Sequence, residues 1–481
     1  MHTRRLPIFL PAVALLAAAF GMLGPACGKS RPAETSPAPD DVTPLPPPPA
    51  DAAPEPDATP QAPPEAAPDA VEATPQAPAD SGPAPAEAVP LGPDEARVVA
   101  AAVNGLAGDL YPRLADGATN MAFSPAGIAL ALAMTSHGAR GETAAQMNAV
   151  LHLGDDPDRA RELLGREQRL LNAATSDEVR LAVANRLFGE RSYTFAPEFL
   201  EWTAAQFAAP FEPVDFRGAP EPARARINAW VRERTFDRIP EILPAGSIRG
   251  DTRLVLANAV WFKGRWQVSF EERATRPRPF TRADGSKVDV PMMERTADYR
   301  FANRDGTKLL VLPYAGDELS MIVVLPPAGE SPDPWLTPAN LEGLDRLRSR
   351  EVEVRLPRFK IDPPAPRRLN ADLVALGMPR AFAREEAEFE GIAEPSNPDD
   401  RLYISHVFHR AFVEVNEEGT EAAAATAVVM AEVGGVSESY TGPPRFHADH
   451  PFLFLIRENR TGLLLFVGRV GDPSSGAAAE R

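Results

Sequence analysis

The run Glu417-Glu418-Gly419-Thr420-Glu421-Ala422-Ala423-Ala424-Ala425-Thr426-Ala427-Val428-Val429-Met430 leaves the chain around it few choices. It follows Arg410-Ala-Phe-Val-Glu-Val-Asn416, where apolar and polar residues roughly alternate as in a half-buried strand. Gly434-Gly435 and Gly442-Pro443-Pro444 come after it, then a second apolar run from Pro451. Taken alone, Thr420 is a good N-cap and the alanines a good helix body. A second reading is a segment built to change state. Small side chains at alternate positions, Thr420, Ala422, Ala424 and Thr426, can pass between two strands of an existing sheet with little steric opposition. Gly419 would then be the hinge, because glycine tolerates large changes of φ and ψ.

The surroundings separate the two readings. The hinge pattern stands with Phe446-His-Ala-Asp449-His450-Pro451-Phe452-Leu-Phe454 and with Leu464-Leu-Phe-Val-Gly468-Arg469-Val470-Gly-Asp472-Pro473. On these motifs the chain resembles the serpin family from near Pro93 to Pro473. The resemblance implies a single α+β domain of three β-sheets packed with eight or nine α-helices and carrying an exposed reactive-centre loop.

It also implies a mechanism, suicide inhibition of an endopeptidase, with the protein itself no enzyme. The protease takes the loop as substrate and forms an acyl-enzyme. The cut hinge, Glu417 to Thr426, then inserts into the main sheet and carries the protease with it, which distorts the catalytic site and stalls deacylation. A charged or proline residue at the alternate hinge positions would have argued for a non-inhibitory member, and none is present.

By the same resemblance, Ser124, Asn258 and His409 meet beneath the main sheet and govern how easily its central strands part. Gly127 stands where many members carry a second serine, which weakens that network. Trp266 falls beside the point of insertion, and Arg358 pairs with Glu417 there to keep the loop out before triggering.

Residues 1–27 read as an export signal: Arg4-Arg5, an apolar core, then small residues ending in Cys27. The segment is too short and too proline-broken to span a membrane well. Cys27 is the only cysteine, at the position where a bacterial lipoprotein is cleaved and lipidated, although Leu23-Gly24-Pro25-Ala26 departs from the usual box. An ordinary cleaved signal is the alternative. With Cys27 consumed, no disulfide forms.

Residues 28–93 are proline, alanine and acid, with almost nothing apolar to bury, and are expected to be a disordered linker. Eleven acidic residues against Lys29 and Arg31 give this stretch −9 of the chain's −17. The remainder identifies no charged partner, and nucleic-acid binding is not expected. The expected product is a monomeric domain, residues 94–474 with a short tail 475–481. It would be held off a bacterial envelope through lipidated Cys27, periplasmic or at the cell surface, or released. Length would allow two or three domains, but there is no second linker and no repeat.

Within the domain, Ser124-Pro125 opens a helix with Ser124 as N-cap. Thr143-Ala-Ala-Gln146 reads as a capping box. Residues 351–361 alternate as one half-buried strand. Arg224, Arg226, Arg232 and Arg234 read as the solvated face of an ordinary helix whose other face carries Ile227, Trp230 and Val231.

No enzyme constellation emerges. There is no metal-binding His or Cys spacing and no phosphate loop, so neither a metal nor a cofactor is expected. Gly435-Val-Ser437-Glu-Ser439 lacks the last glycine of a nucleophile elbow. Asp449-His450, a triad-like pair, reads as a structural turn.

The scissile bond is less determined. Counting fourteen residues on from Gly419, as in most inhibitory serpins, gives Val433 and Gly434. Counting back from Phe446 points to Glu438 and Ser439. Arg410 and Arg445 bracket a loop without lysine or arginine, so a trypsin-like target is disfavoured. Val433 suits an elastase-like pocket, Met430 or Tyr440 a chymotrypsin- or subtilisin-like one, and Glu432 or Glu438 a glutamate-specific one. A cysteine protease stays open, as does a non-inhibitory serpin that binds a ligand or partner.

Overall fold

The computed structural model describes residues 89–115, 119–174, 176–394, 400–420 and 442–475. Among these are eight α-helices and three sheets of six, nine and two strands.

The six-stranded sheet runs Phe359–Ile361, Val413–Val415, Gly419–Thr420, Leu254–Arg265, Val179–Glu190, Phe211–Val214. Its long central pair, Leu254–Arg265 with Val179–Glu190, is antiparallel over eleven residue pairs, from Val179 opposite Gly264 to Gly189 opposite Leu254. The nine-stranded sheet carries the C-terminal hairpin Phe452–Glu458 and Leu464–Val470, which read as apolar runs because both faces are covered. The two-stranded sheet joins Arg367–Arg368 to Phe408–His409.

The alternating run 351–361 is not one strand. Ser349–Pro357 lies in the nine-stranded sheet and Phe359–Ile361 in the six-stranded one, so the chain changes sheets at Arg358. Alternation persists because each half keeps one face buried, and periodicity carries no mark of which sheet is being paired.

The helix Pro93–Ala115 starts with Asp94 and Glu95 in its first turn, favourable at the positive end of the dipole. It buries Val99, Val103, Leu106 and Leu110 at helical spacing. Ser124 caps the helix Pro125–His137, its hydroxyl accepting from the Gly127 N–H at 3.1 Å. The expected capping box at Thr143 does not form. That helix begins at Gly141, placing Thr143 inside its first turn. Glu388, far along the chain, accepts from the Thr143 N–H at 3.3 Å, and the Thr143 hydroxyl accepts from the Glu388 N–H at 3.1 Å. A tertiary carboxylate has displaced the local cap.

Most of the apolar core lies between the two large sheets and the helices against them. A second, smaller cluster sits on the other face of the six-stranded sheet. There Ile227, Trp230 and Val231 of the helix Pro220–Arg234 cover Phe188, Ala257 and Ala259. Arg224 on this helix bonds Glu221 and Glu241, and Arg226 bonds Glu212, as befits an ordinary ion-paired surface.

Candidate functional site

The strand Val413–Val415 runs up the six-stranded sheet, turns through 416–418, and returns as Gly419–Thr420. The turn holds itself together, because the Asn416 side-chain oxygen accepts from the N–H groups of Glu418 at 3.1 Å and Gly419 at 3.2 Å. Returning, the chain enters a slot between two strands. Gly419 lies opposite Arg265, and Thr420 lies opposite both Gly264 and Val415. Thr420 therefore belongs to a strand and is not a helix cap.

Only glycine fits at 419, since an added Cβ would come within 1.9 Å of the Gly264 carbonyl oxygen. Thr420, 2% exposed, shares a hydrogen bond of 2.6 Å with the Tyr314 hydroxyl. Burial pushes the Tyr314 pKa far above the ordinary phenol range, outweighing the opposite effect of the bond to Thr420, so it stays neutral.

Trp266 closes the top of the slot. Its indole N–H donates to the Asn416 carbonyl at 3.0 Å, and its backbone N–H donates to the Glu418 carbonyl at 2.7 Å. The Glu417 side chain is 3% exposed, and its carboxylate accepts from the Arg358 guanidinium at 2.7 Å and from the Thr275 hydroxyl. Arg358 can reach it because it stands at the change of sheets. A carboxylate this buried needs such partners, since an unpaired one is strongly unfavourable.

Beneath the slot the structure brings Ser124 and His409 together, the Ser124 N–H donating to His409 Nε2 at 3.0 Å. Nε2 must then be unprotonated. Burial supports this, pushing the His409 pKa down to about 4 although the ring keeps a face on the neighbouring cavity. Asn258 is close by, but its amide donates to Asn185 Oδ1 at 2.6 Å and not to Ser124 or His409. Asn185 in turn donates to Gln168 at 2.6 Å, and Gln168 to the Phe207 carbonyl at 2.7 Å. Gly127 leaves no space for a side chain, as a Cβ there would fall 2.6 Å from Asn258 Oδ1.

Farther down, 254–258 and 401–409 line a cavity of about 150 Å³ that also touches Ile128, Leu132 and Ile392. Among the described residues, Leu254–Arg265 and Val413–Val415 pair with Gly419–Thr420 and not with each other. The arrangement is a sheet with a strand begun and room below it.

Sequence reasoning missed four contributors. These are Tyr314, Thr275, Asn185 and Gln168, none of which it placed at the slot. The rest of the hinge, Glu421, Ala422, Ala423, Ala424, Ala425 and Thr426, lies outside the described residues. So do Met430, Val433, Gly434, Glu438, Tyr440, the elbow-like 435–439 and Cys27. The Asp449–His450 pair is described: Nδ1 faces Asp449 at 2.8 Å and Nε2 the Pro326 carbonyl at 2.8 Å. With both ring nitrogens engaged, neither is available as a base. Among the described residues no group of three or more His, Cys, Asp or Glu could hold a metal, and no helix is long and apolar enough to cross a membrane.

Comparison with known proteins accounts for this architecture. The family model Serpin (serine protease inhibitor) matches residues 101–473. The chain is a serpin. It is 38% identical over 398 residues to the leukocyte elastase inhibitor of Sus scrofa, covering 78% of this chain and 99% of that one. A serpin-like protein of Thermococcus kodakarensis is 38% identical over 386 residues, 79% of this chain and 87% of its own. Among solved structures, the native thermophilic serpin tengpin superposes with a TM-score of 0.69 at 26% identity, covering 81% of this chain and 97% of its own. Uncleaved ovalbumin gives 0.66 at 30%, with coverage of 78% and 100%.

Proposed function

We propose that this serpin traps its protease as a suicide substrate, by loop cleavage followed by insertion at the slot. The observation that carries the reading is Gly419–Thr420, already paired on both sides between Leu254–Arg265 and Val413–Val415, with a cavity below. Continuing that antiparallel register, Thr426 would come opposite Asn258 and Met430 opposite Leu254. Backbone hydrogen bonds and burial of alternate side chains would drive the insertion.

The scissile bond proposed is that between Val433 and Gly434, with Met430, Glu438 and Tyr440 as the alternative recognition residues. An elastase-like target is favoured by Val433 and by the several relatives that are leukocyte elastase inhibitors. Subtilisin- and chymotrypsin-like enzymes come next. The domain, residues 94–474, is proposed to act as a monomer, exported and tethered by the linker 28–93 to lipidated Cys27 at the bacterial envelope. The signal-like residues 1–27 and the lone cysteine support that placement.

The test is incubation of the protein with elastase-, subtilisin-, chymotrypsin-, trypsin- and papain-like proteases, read by denaturing gel and intact mass. An SDS-stable complex and a released peptide starting at Gly434 are expected. Loop cleavage by every protease with no complex would instead identify a non-inhibitory serpin.

A further inference from the structure

The helix Pro157–Ala173 buries Leu163, Leu164 and Leu171 on one face, and Glu167 falls on that same face at helical spacing. Its side chain is 2% exposed. A carboxylate so placed needs a partner, and the partner comes from the far end of the chain. The Arg460 guanidinium, in the turn of the C-terminal hairpin, donates to both Glu167 oxygens at 3.1 and 3.3 Å.

That partner is already engaged. Arg460 Nε lies 3.5 Å from the carboxylate of Glu458, the last residue of Phe452–Glu458. Glu458 is buried as well, but its own turn supplies it with donors. It accepts from the Arg460 N–H at 3.0 Å, the Thr461 N–H at 2.6 Å and the Thr461 hydroxyl at 2.5 Å. Among the described residues, the Glu167 side chain accepts from Arg460 alone. Two buried carboxylates thus share one guanidinium, and the seam between helix and hairpin holds a surplus negative charge whenever both are ionised.

Burial, and after it the charge of Glu458, push the Glu167 pKa up to about 7, against the pull of Arg460 and Arg166. Arg166 offsets the surplus only in part, being paired with Glu95. Arg457, next in the chain to Glu458, is shared with Asp345. Asp317 and Glu318 add negative charge across a cavity of about 420 Å³ that Leu170, Leu171 and Arg460 also line.

We infer that Glu167 is a proton switch in this seam: with its proton bound it fastens the helix Pro157–Ala173 to the C-terminal hairpin, and without it the two part more readily. Out of the seam, Glu167 binds a proton only near pH 4.3, as an exposed glutamate does. The contact is therefore whole below about pH 4.3 and weakens as the pH climbs through about 7. This runs opposite to His409, whose depressed pKa costs stability on the acid side.

The experiment is hydrogen exchange on the whole protein at intervals from about pH 5 to about pH 9. It reads protection factors for the amides of 157–173 and 452–470 relative to those of the helix Pro220–Arg234. In wild type, protection of both segments should fall about ten-fold or more across that range. Glu167→Gln keeps the shape and cannot ionise, so its protection should stay level. Arg460→Gln removes the cation that favours the charged form, and should move the fall to higher pH by about one unit. A merely structural bond would not do that. Should Glu167→Gln fail to fold, the direction of the Arg460→Gln shift decides alone. Level protection in wild type, an equal fall in Glu167→Gln, or a fall that Arg460→Gln leaves in place or moves to lower pH would overturn the switch.

Discussion

The Trp266 indole lies flat on the Tyr314 ring, 4.7 Å between centroids and 12° between planes, while the Tyr314 hydroxyl bonds Thr420. The side chain that closes the slot thus also positions the one that holds the hinge within it. Tyr314→Phe keeps the stack and strands the buried Thr420 hydroxyl. We expect native stability to fall by about 1–2 kcal/mol, with faster proteolysis of the hinge. An unchanged denaturation midpoint would show that the bond holds nothing in place.

Arg358→Ala leaves the Glu417 carboxylate buried with only the Thr275 hydroxyl beside it. The expected loss is about 3 kcal/mol in denaturant titration. Arg358→Lys should recover part of it, limited by the loss of the guanidinium's second donor. A loss near that of an exposed ion pair, below about 1 kcal/mol, would mean that water reaches Glu417 after all.

Gly419→Ala places a methyl group against the Gly264 carbonyl, so Gly419–Thr420 must leave the slot. Cleavage by the target should persist while trapping falls, turning an inhibitor into a substrate. The gel assay measures this directly, and full trapping by the variant would show that insertion does not begin at this glycine.

His409 gives a pH dependence whose sign follows from its depressed pKa. Unfolded, it binds a proton near pH 6.5; folded, only near pH 4. Its contribution is whole above about pH 6.5 and declines as the pH falls towards 4. His409→Gln, which cannot titrate, should flatten that part of the stability profile relative to wild type. Parallel profiles would place the titration on other groups.

Much of this site was legible in the sequence. Alternation around Arg410 and Glu351 marks strands, and Gly419-Thr420 marks where the chain enters between two of them. The resemblance then brings Arg358 to Glu417. What stayed hidden depends on distant juxtaposition. Asn185 and Gln168 look like ordinary polar residues of a strand and a helix until the sheet sets them in line with Asn258. Thr143 has a sound local cap pattern and loses it to Glu388. The change of sheets at Arg358 leaves no trace in the alternation, yet it is what aims that side chain into the slot.

The cavity lined by 254–258 and 401–409 bears on what stability means for this protein. By the insertion proposed above, the chain can reach a more cohesive arrangement than the one it occupies, and the native form is then metastable. Its working life is then a waiting time governed by the barrier to that rearrangement. Substitutions that fill the cavity could make the protein harder to melt and worse at its task.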